Sequence, residues 1–167
     1  MNADVSQSDE PQLFADDLTV GQRFGGEPRR IGDAAFKAFA DITGDDHPIH
    51  YDDAYAAKTR FGKRLAHGLL VMSMTAFGAT AMSHRFEDSM VAFLDQAGRF
   101  TKPAFVDDVL TSHFVVASIE RKPGRDTAVV RFDVTLTNAA GDTVLQGHHV
   151  YMLLCRAANG SGQPHAG

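Results

Sequence analysis

The hydrophobic positions change their period once along the chain. In residues 34–43, Phe36, Phe39, Ala40 and Ile42 recur at helical spacing. Asp33 stands where an N-cap is expected, and Gly44 where a helix stops. Asp52 or Asp53 is placed to cap a second short helix through Lys58, ended near Gly62. A third helix is expected over residues 68–84. It is apolar on nearly all sides through Leu69, Leu70, Val71, Met72, Met74, Phe77 and Met82, and a helix without a polar face must be wrapped by other structure. Beyond it the period falls to two. Residues 90–93, 109–119, 127–137 and 144–154 are rich in β-branched and aromatic side chains. In the third of these, Val130, Phe132, Val134 and Leu136 alternate with Val129, Arg131, Asp133 and Thr135. Turn signals at residues 122–126 and 138–142 separate the later runs, as in consecutive antiparallel hairpins. The pattern predicts an α+β fold, an apolar helix laid against an antiparallel sheet.

Composition narrows this picture. The chain has 167 residues with 44% hydrophobic content, enough for one domain with its own core. Residues 1–12 are polar and acidic and read as a disordered arm without an apolar leader. Residues 157–167 read as a disordered tail, leaving residues 13–156 as the expected domain. The single cysteine, Cys155, lies in an apolar run and reads as a buried small hydrophobe. A reducing, cytoplasmic location follows as the simplest expectation. Residues 65–82 are interrupted by His67, Ser73 and Thr75, so a membrane span is not expected. A net charge of −5 argues against a nucleic-acid partner. Lys58, Arg60, Lys63 and Arg64 nevertheless form a local basic cluster, either a solvated loop or a rim for an anionic substrate.

The densest chemistry is in Thr43-Gly44-Asp45-Asp46-His47-Pro48-Ile49-His50. Gly44 and Pro48 break a helix there, so Asp45 and His50 sit on a turn able to bring both side chains to one point. A carboxylate and an imidazole converging on a water form an acid/base pair. Two other readings stand beside it: an Asx-turn with a loop histidine, or a metal site using Asp45, Asp46, His47 and His50. Further along, His67-Gly68 opens the third helix. Glycine lets a substrate oxygen approach the first N–H groups of the helix, or lets the helix pack closely on the sheet. His67 reads as a side chain that hydrogen-bonds the loop and holds it.

These segments, with Tyr51-Asp52-Asp53-Ala54-Tyr55 and Phe61-Gly62-Lys63-Arg64-Leu65-Ala66-His67-Gly68-Leu69-Leu70, resemble the MaoC-like hydratases, the (R)-specific enoyl-CoA hydratases and acyl dehydratases. The resemblance extends over residues 14–155. It implies a single hotdog fold, a sheet wrapped around a long central helix, and a homodimer joined edge to edge. It implies that Asp45 and His50 are the catalytic pair and that the Gly68 N–H polarises a thioester carbonyl. It implies a CoA or acyl carrier protein thioester as substrate, with no cofactor or metal. His67, the basic residues and Met72 are then expected to border the substrate, and Met72, Phe77 and Phe93 to set pocket depth. The sequence departs from the family in two places: His47 stands where asparagine is common, and Asp107 where glycine is usual. A hotdog thioesterase is the rival enzyme. No carboxylate lies in residues 68–82 to serve it. A silent acyl-thioester-binding protein is the rival outside catalysis.

Overall fold

In a computed structural model describing residues 11–156, the alternating segments pair into one antiparallel sheet. Its strands are β1 (Arg23–Gly25), β2 (Arg29–Arg30), β3 (Met90–Phe100), β4 (Val109–Arg121), β5 (Thr127–Asn138) and β6 (Thr143–Leu154). The order is β1-β4-β5-β6-β3, with β2 also paired to β4. The face expected to be buried on β5 is buried: Val130, Phe132, Val134 and Leu136, with Ala128 before them. Period-two alternation also carries a polar residue inward, since His149 shares the buried face of β6 with Leu145, Tyr151 and Leu153.

Among the described residues the α-helices are α1 (Asp33–Thr43), α2 (Pro48–Tyr51), α3 (Asp53–Ala56) and α4 (Gly68–Ser73). Asp33 is the first residue of α1 and Gly32 its cap, one position from expectation. Gly44 ends α1 in the left-handed region, φ +74°. Asp52 caps α3, its Oδ1 accepting the Tyr55 N–H at 3.0 Å.

The long helix expected over residues 68–84 is corrected by the structure: α4 stops at Ser73. The hydroxyls of Ser73, Thr75 and Thr80 each donate at 2.7 Å to the carbonyl three residues back. Those carbonyls are then shared with side chains, which favours tighter turns over a continuing α-helix. Ala76 leaves helical geometry at ψ 123°, and the rest of the segment is 3-10 turns at Phe77–Ala79 and Ala81–Phe86. Burial followed apolar content only in part: Leu70, Val71 and Phe77 are buried, whereas Leu69 is 68% exposed.

Two side-chain cores result. Ile31, Phe36, Leu70, Val71, Leu110 and Leu136 pack beneath α1 and α4. Phe24, Phe77, Phe86, Phe114, Phe132 and Tyr151 pack beneath the turns that follow α4. The lead-in segment closes that second core. Arg156 donates to both carboxylate oxygens of Asp17, and Gln12 bonds the His84 carbonyl and the Asp88 N–H. Gln12 is thus bonded, whereas residues 1–10 and 157–167 lie outside the described residues. Strand β3 forms one edge of the sheet and exposes Val91, Phe93, Leu94 and Phe100.

Candidate active site

The site is built where α1 ends and α4 begins. Thr43 Oγ1 donates to the Phe39 carbonyl at 2.7 Å and accepts the Asp45 N–H at 3.2 Å, so the chain leaves α1 on a fixed course. Asp45 Oδ1 then accepts the His47 N–H at 3.4 Å. This is the Asx-turn weighed as a rival reading, and it also orients the carboxylate. His47 caps α2, its Nδ1 accepting the Ile49 N–H at 3.2 Å, with Pro48 in the first turn. An imidazole thus performs the capping task that asparagine performs elsewhere.

Helix α2 delivers His50 to the chain just ahead of α4. His50 Nδ1 lies 2.6 Å from the Leu65 carbonyl. A carbonyl only accepts, so Nδ1 carries the proton and the lone pair of neutral His50 is on Nε2. The same logic fixes His67. The Tyr51 hydroxyl donates to the Phe36 carbonyl at 2.9 Å, so its oxygen accepts His67 Nε2–H, also at 2.9 Å. The lone pair of His67 is therefore on Nδ1, which is buried and makes no hydrogen bond among the described residues. A buried acceptor without a donor is costly, and it marks a place where a ligand or water belongs.

The two rings are stacked, 3.7 Å between centroids and 27° between planes. Asp45, His50 and His67 each offer a polar atom, all within 4.8 Å of one another. Asp45 is exposed, His50 half-buried and His67 buried, so the group forms a wall open on one side. The three polar atoms lie close enough together to hold a water or a metal ion between them. Burial, foremost, pushes the His67 pKa down. A charge on His50 pushes the same way, while Asp45 opposes. Burial, then the Asp45 charge, raises the Tyr51 hydroxyl.

Gly68 is the first residue of α4, and its N–H has no acceptor within the helix. The His67 side chain does not cap it. Gly68 is exposed, and a Cβ there would come within 3.2 Å of the Phe100 ring. Close approach to β3 thus accompanies backbone access. A cavity of about 380 Å³ opens on Gly68, Val71 and Phe100, with Arg60 and Lys102 at its rim.

Asp46 lines a different cavity, between α1 and Tyr51. Of the basic cluster, Arg60 borders the Gly68 cavity and lies over the Phe61 ring. Lys63 lies over the Phe105 ring and Lys58 is exposed. Arg64 is engaged elsewhere, bonding Asp33 at 2.7 Å and Asp53 at 2.9 Å and so tying α1 to α3. Met72 lies one turn after Gly68, against β3. Sequence reasoning missed Tyr51 and the Leu65 carbonyl, which set the two tautomers. Tyr51 follows His50 directly, but its reach to His67 is visible only in three dimensions.

A sheet with a helix laid on it in this order is the hotdog fold. The MaoC-like domain model matches residues 10–140, and the chain belongs to that family. It is 33% identical over 112 residues to an (R)-specific enoyl-CoA hydratase of Aeromonas caviae, covering 66% of this chain and 81% of that protein. It is 30% identical over 115 residues to a 3-hydroxybutyryl-CoA dehydratase of Methylorubrum extorquens, covering 68% and 71%. Among solved structures it is similar to the MaoC-like dehydratase from Rhodospirillum rubrum, with 25% identity, TM-score 0.75, and 87% and 99% of the two chains covered.

Proposed function

We propose that this chain is a hydro-lyase that adds water reversibly to a trans-2-enoyl thioester, giving an (R)-3-hydroxyacyl thioester. The observation that carries the reading is the pair of assigned lone pairs, His50 Nε2 and His67 Nδ1, beside the Asp45 carboxylate and one residue from the free Gly68 N–H. The relatives named as hydratases and dehydratases support the reaction class.

The thioester carbonyl accepts from the Gly68 N–H, which draws electron density from C3. Water bonds to Asp45 and His50. His50 Nε2 takes a water proton as the oxygen attacks C3, and the electrons of the alkene move onto the thioester as an enolate. Asp45 offsets the charge of the imidazolium. His50 Nε2–H then delivers its proton to C2, so water and alkene are consumed and the base is restored. His67 positions the water through Nδ1 and, remaining neutral, adds no repulsion to charged His50. Arg60 in the cavity lining suits the phosphates of CoA or of an acyl carrier protein, whereas Lys102 beside it pairs with Asp142 at 2.6 Å. The apolar side chains exposed on β3 suit pairing with a second copy of the chain.

The test follows the conjugated-alkene absorbance of a trans-2-enoyl-CoA in parallel with thiol release. Loss of absorbance with the thioester intact is the expected result. Thiol release at the same rate would replace the hydratase reading with hydrolysis, and neither change would leave binding alone.

A further inference from the structure

Among the described residues, Asp45, His50 and His67 are the one group of three histidine, cysteine or carboxylate side chains whose ligating atoms lie within 4.8 Å of one another. His84 and His148 each have a single carboxylate at 2.8 Å, from Glu87 and Asp95. Two imidazoles and a carboxylate, open on one side, are the donor set of a zinc site with three protein ligands, whose fourth position is left to water or another ligand.

The bonds behind the donors favour an ion. A histidine that ligates a metal spends its other N–H on a carboxylate, a backbone carbonyl or a water, which fixes its tautomer and aims its lone pair. Both rings are held in this manner. His50 Nδ1–H donates to the Leu65 carbonyl at 2.6 Å, and His67 Nε2–H to the Tyr51 hydroxyl at 2.9 Å. That hydroxyl is itself anchored on the Phe36 carbonyl at 2.9 Å. The lone pairs left over are on His50 Nε2 and His67 Nδ1. The second belongs to a ring only 2% exposed and makes no hydrogen bond among the described residues. A buried lone pair of this kind is met by a water proton or by a metal ion.

An ion about 2.0–2.2 Å from each donor draws the three to within about 3.4 Å of one another. The adjustment falls on Asp45, which is exposed and whose Oδ1 accepts the His47 N–H at a long 3.4 Å. The two nitrogen donors select the ion. Imidazole suits zinc and its neighbours in the first transition row, whereas magnesium and calcium take oxygen donors.

We propose that Asp45, His50 and His67 bind a divalent transition ion, Zn2+ foremost, at the position of the reacting water, and that the ion inhibits the reaction reversibly. The inhibitory part rests on the hydratase reading, whereas the binding part stands apart from it. An ion on His50 Nε2 occupies the lone pair that accepts the water proton. Its contact with Asp45 cancels the charge that offsets the imidazolium.

The experiment uses Co2+ as the probe, on the full chain after chelator treatment. Equilibrium dialysis shows one Co2+ per chain, with visible absorbance from the nitrogen and oxygen ligands. Zn2+ displaces it, and Mg2+ at the same concentration does not. Asp45→Asn and His67→Gln each weaken Co2+ binding by about 100-fold or more, and Tyr51→Phe, which removes the partner behind His67, by about 10- to 100-fold. A thermal melt accompanies each variant, and if His67→Gln does not fold, Asp45→Asn alone decides. No Co2+ bound by the wild type, or equal binding by Asp45→Asn, overturns the site. On the active chain, one equivalent of Zn2+ lowers enoyl-CoA hydration by about 100-fold or more, as losing the base implies, and chelator restores the rate. An unchanged rate with the ion bound overturns the inhibitory role. If the metal-free chain hydrates no enoyl-CoA, the hydratase reading fails, and the Co2+ measurement still decides the site.

Discussion

Two histidine clusters lie near the two ends of α4, and they are built on opposite plans. Around His149 the hydrogen bonds close: Tyr151 to His149, His149 to Thr75, Thr75 to a backbone carbonyl. Around His50 and His67 they are left open. Each ring spends its N–H on a fixed oxygen and keeps a lone pair, one of them buried and unmatched. The contrast separates scaffold from chemistry more clearly than burial or residue type does. A satisfied polar network holds a wall in shape, and one with an unmet acceptor is prepared for a guest.

Breaking the open cluster has the largest expected effect. Asp45→Asn or His50→Ala lowers kcat by about 100- to 10,000-fold, the range for lost acid/base groups, with the thermal transition nearly unchanged. Steady-state kinetics and a melt on the same sample check both halves. Near-native turnover in both variants would remove these residues from the reaction.

Acid breaks the closed cluster instead. Burial, with a smaller push from a charge on His148, lowers the His149 pKa from its ordinary 6.5 to about 4. Unfolded, His149 takes up a proton near its ordinary pKa; folded, it resists until about pH 4. The unfolded state therefore binds more protons between these values, and stability falls as pH drops through that window. The loss from this group is about 3 kcal/mol. Denaturant midpoints measured from pH 8 down to pH 4 show the decline, and His149→Gln flattens its slope. An equal slope in the variant would place the acid sensitivity elsewhere.

Tyr51 belongs to the open cluster's support, and its removal has a smaller effect. Tyr51→Phe strands His67 Nε2–H and frees the tautomer that the hydroxyl now fixes. We expect kcat to fall about tenfold, roughly one lost neutral hydrogen bond, with KM little changed and the pH–rate profile displaced. A change in KM alone would make Tyr51 a substrate contact. The smallest effect lies outside both clusters. Asp107 holds φ +70°, the left-handed value glycine adopts freely, and its carboxylate pairs with the exposed Arg30. Asp107→Gly should stabilise the fold by about 1 kcal/mol, since left-handed backbone costs about that much and an exposed pair returns little.

Legibility in the sequence followed locality. The alternation that assigned Val130, Phe132, Val134 and Leu136 to the core is a property of neighbours two apart, and it held. Gly44 as a helix stop and Asp52 as a cap are equally local. The span of α4 failed because regularity depended on Ser73, Thr75 and Thr80 competing for backbone carbonyls. Asp45 and His50 were legible as neighbours because they share one short turn, and the structure groups them with His67, which adjoins Gly68. Tyr51 and His149 were not, because their roles depend on partners 16 and 74 residues away in sequence. Of the basic cluster, sequence marked the charges but not their partners, and Arg64 is held by Asp33 and Asp53.

The open cluster is central to the proposed reaction, in which a single base takes a proton from water and returns it to C2 on the face where oxygen has added. Hydration of a trans-2-enoyl-CoA in D2O, with the product analysed by NMR and chiral chromatography, tests this directly. The account predicts one deuterium at C2, on the same face as the new hydroxyl, and a single (R)-3-hydroxyacyl product. Deuterium on the opposite face, or a racemic product, would contradict it.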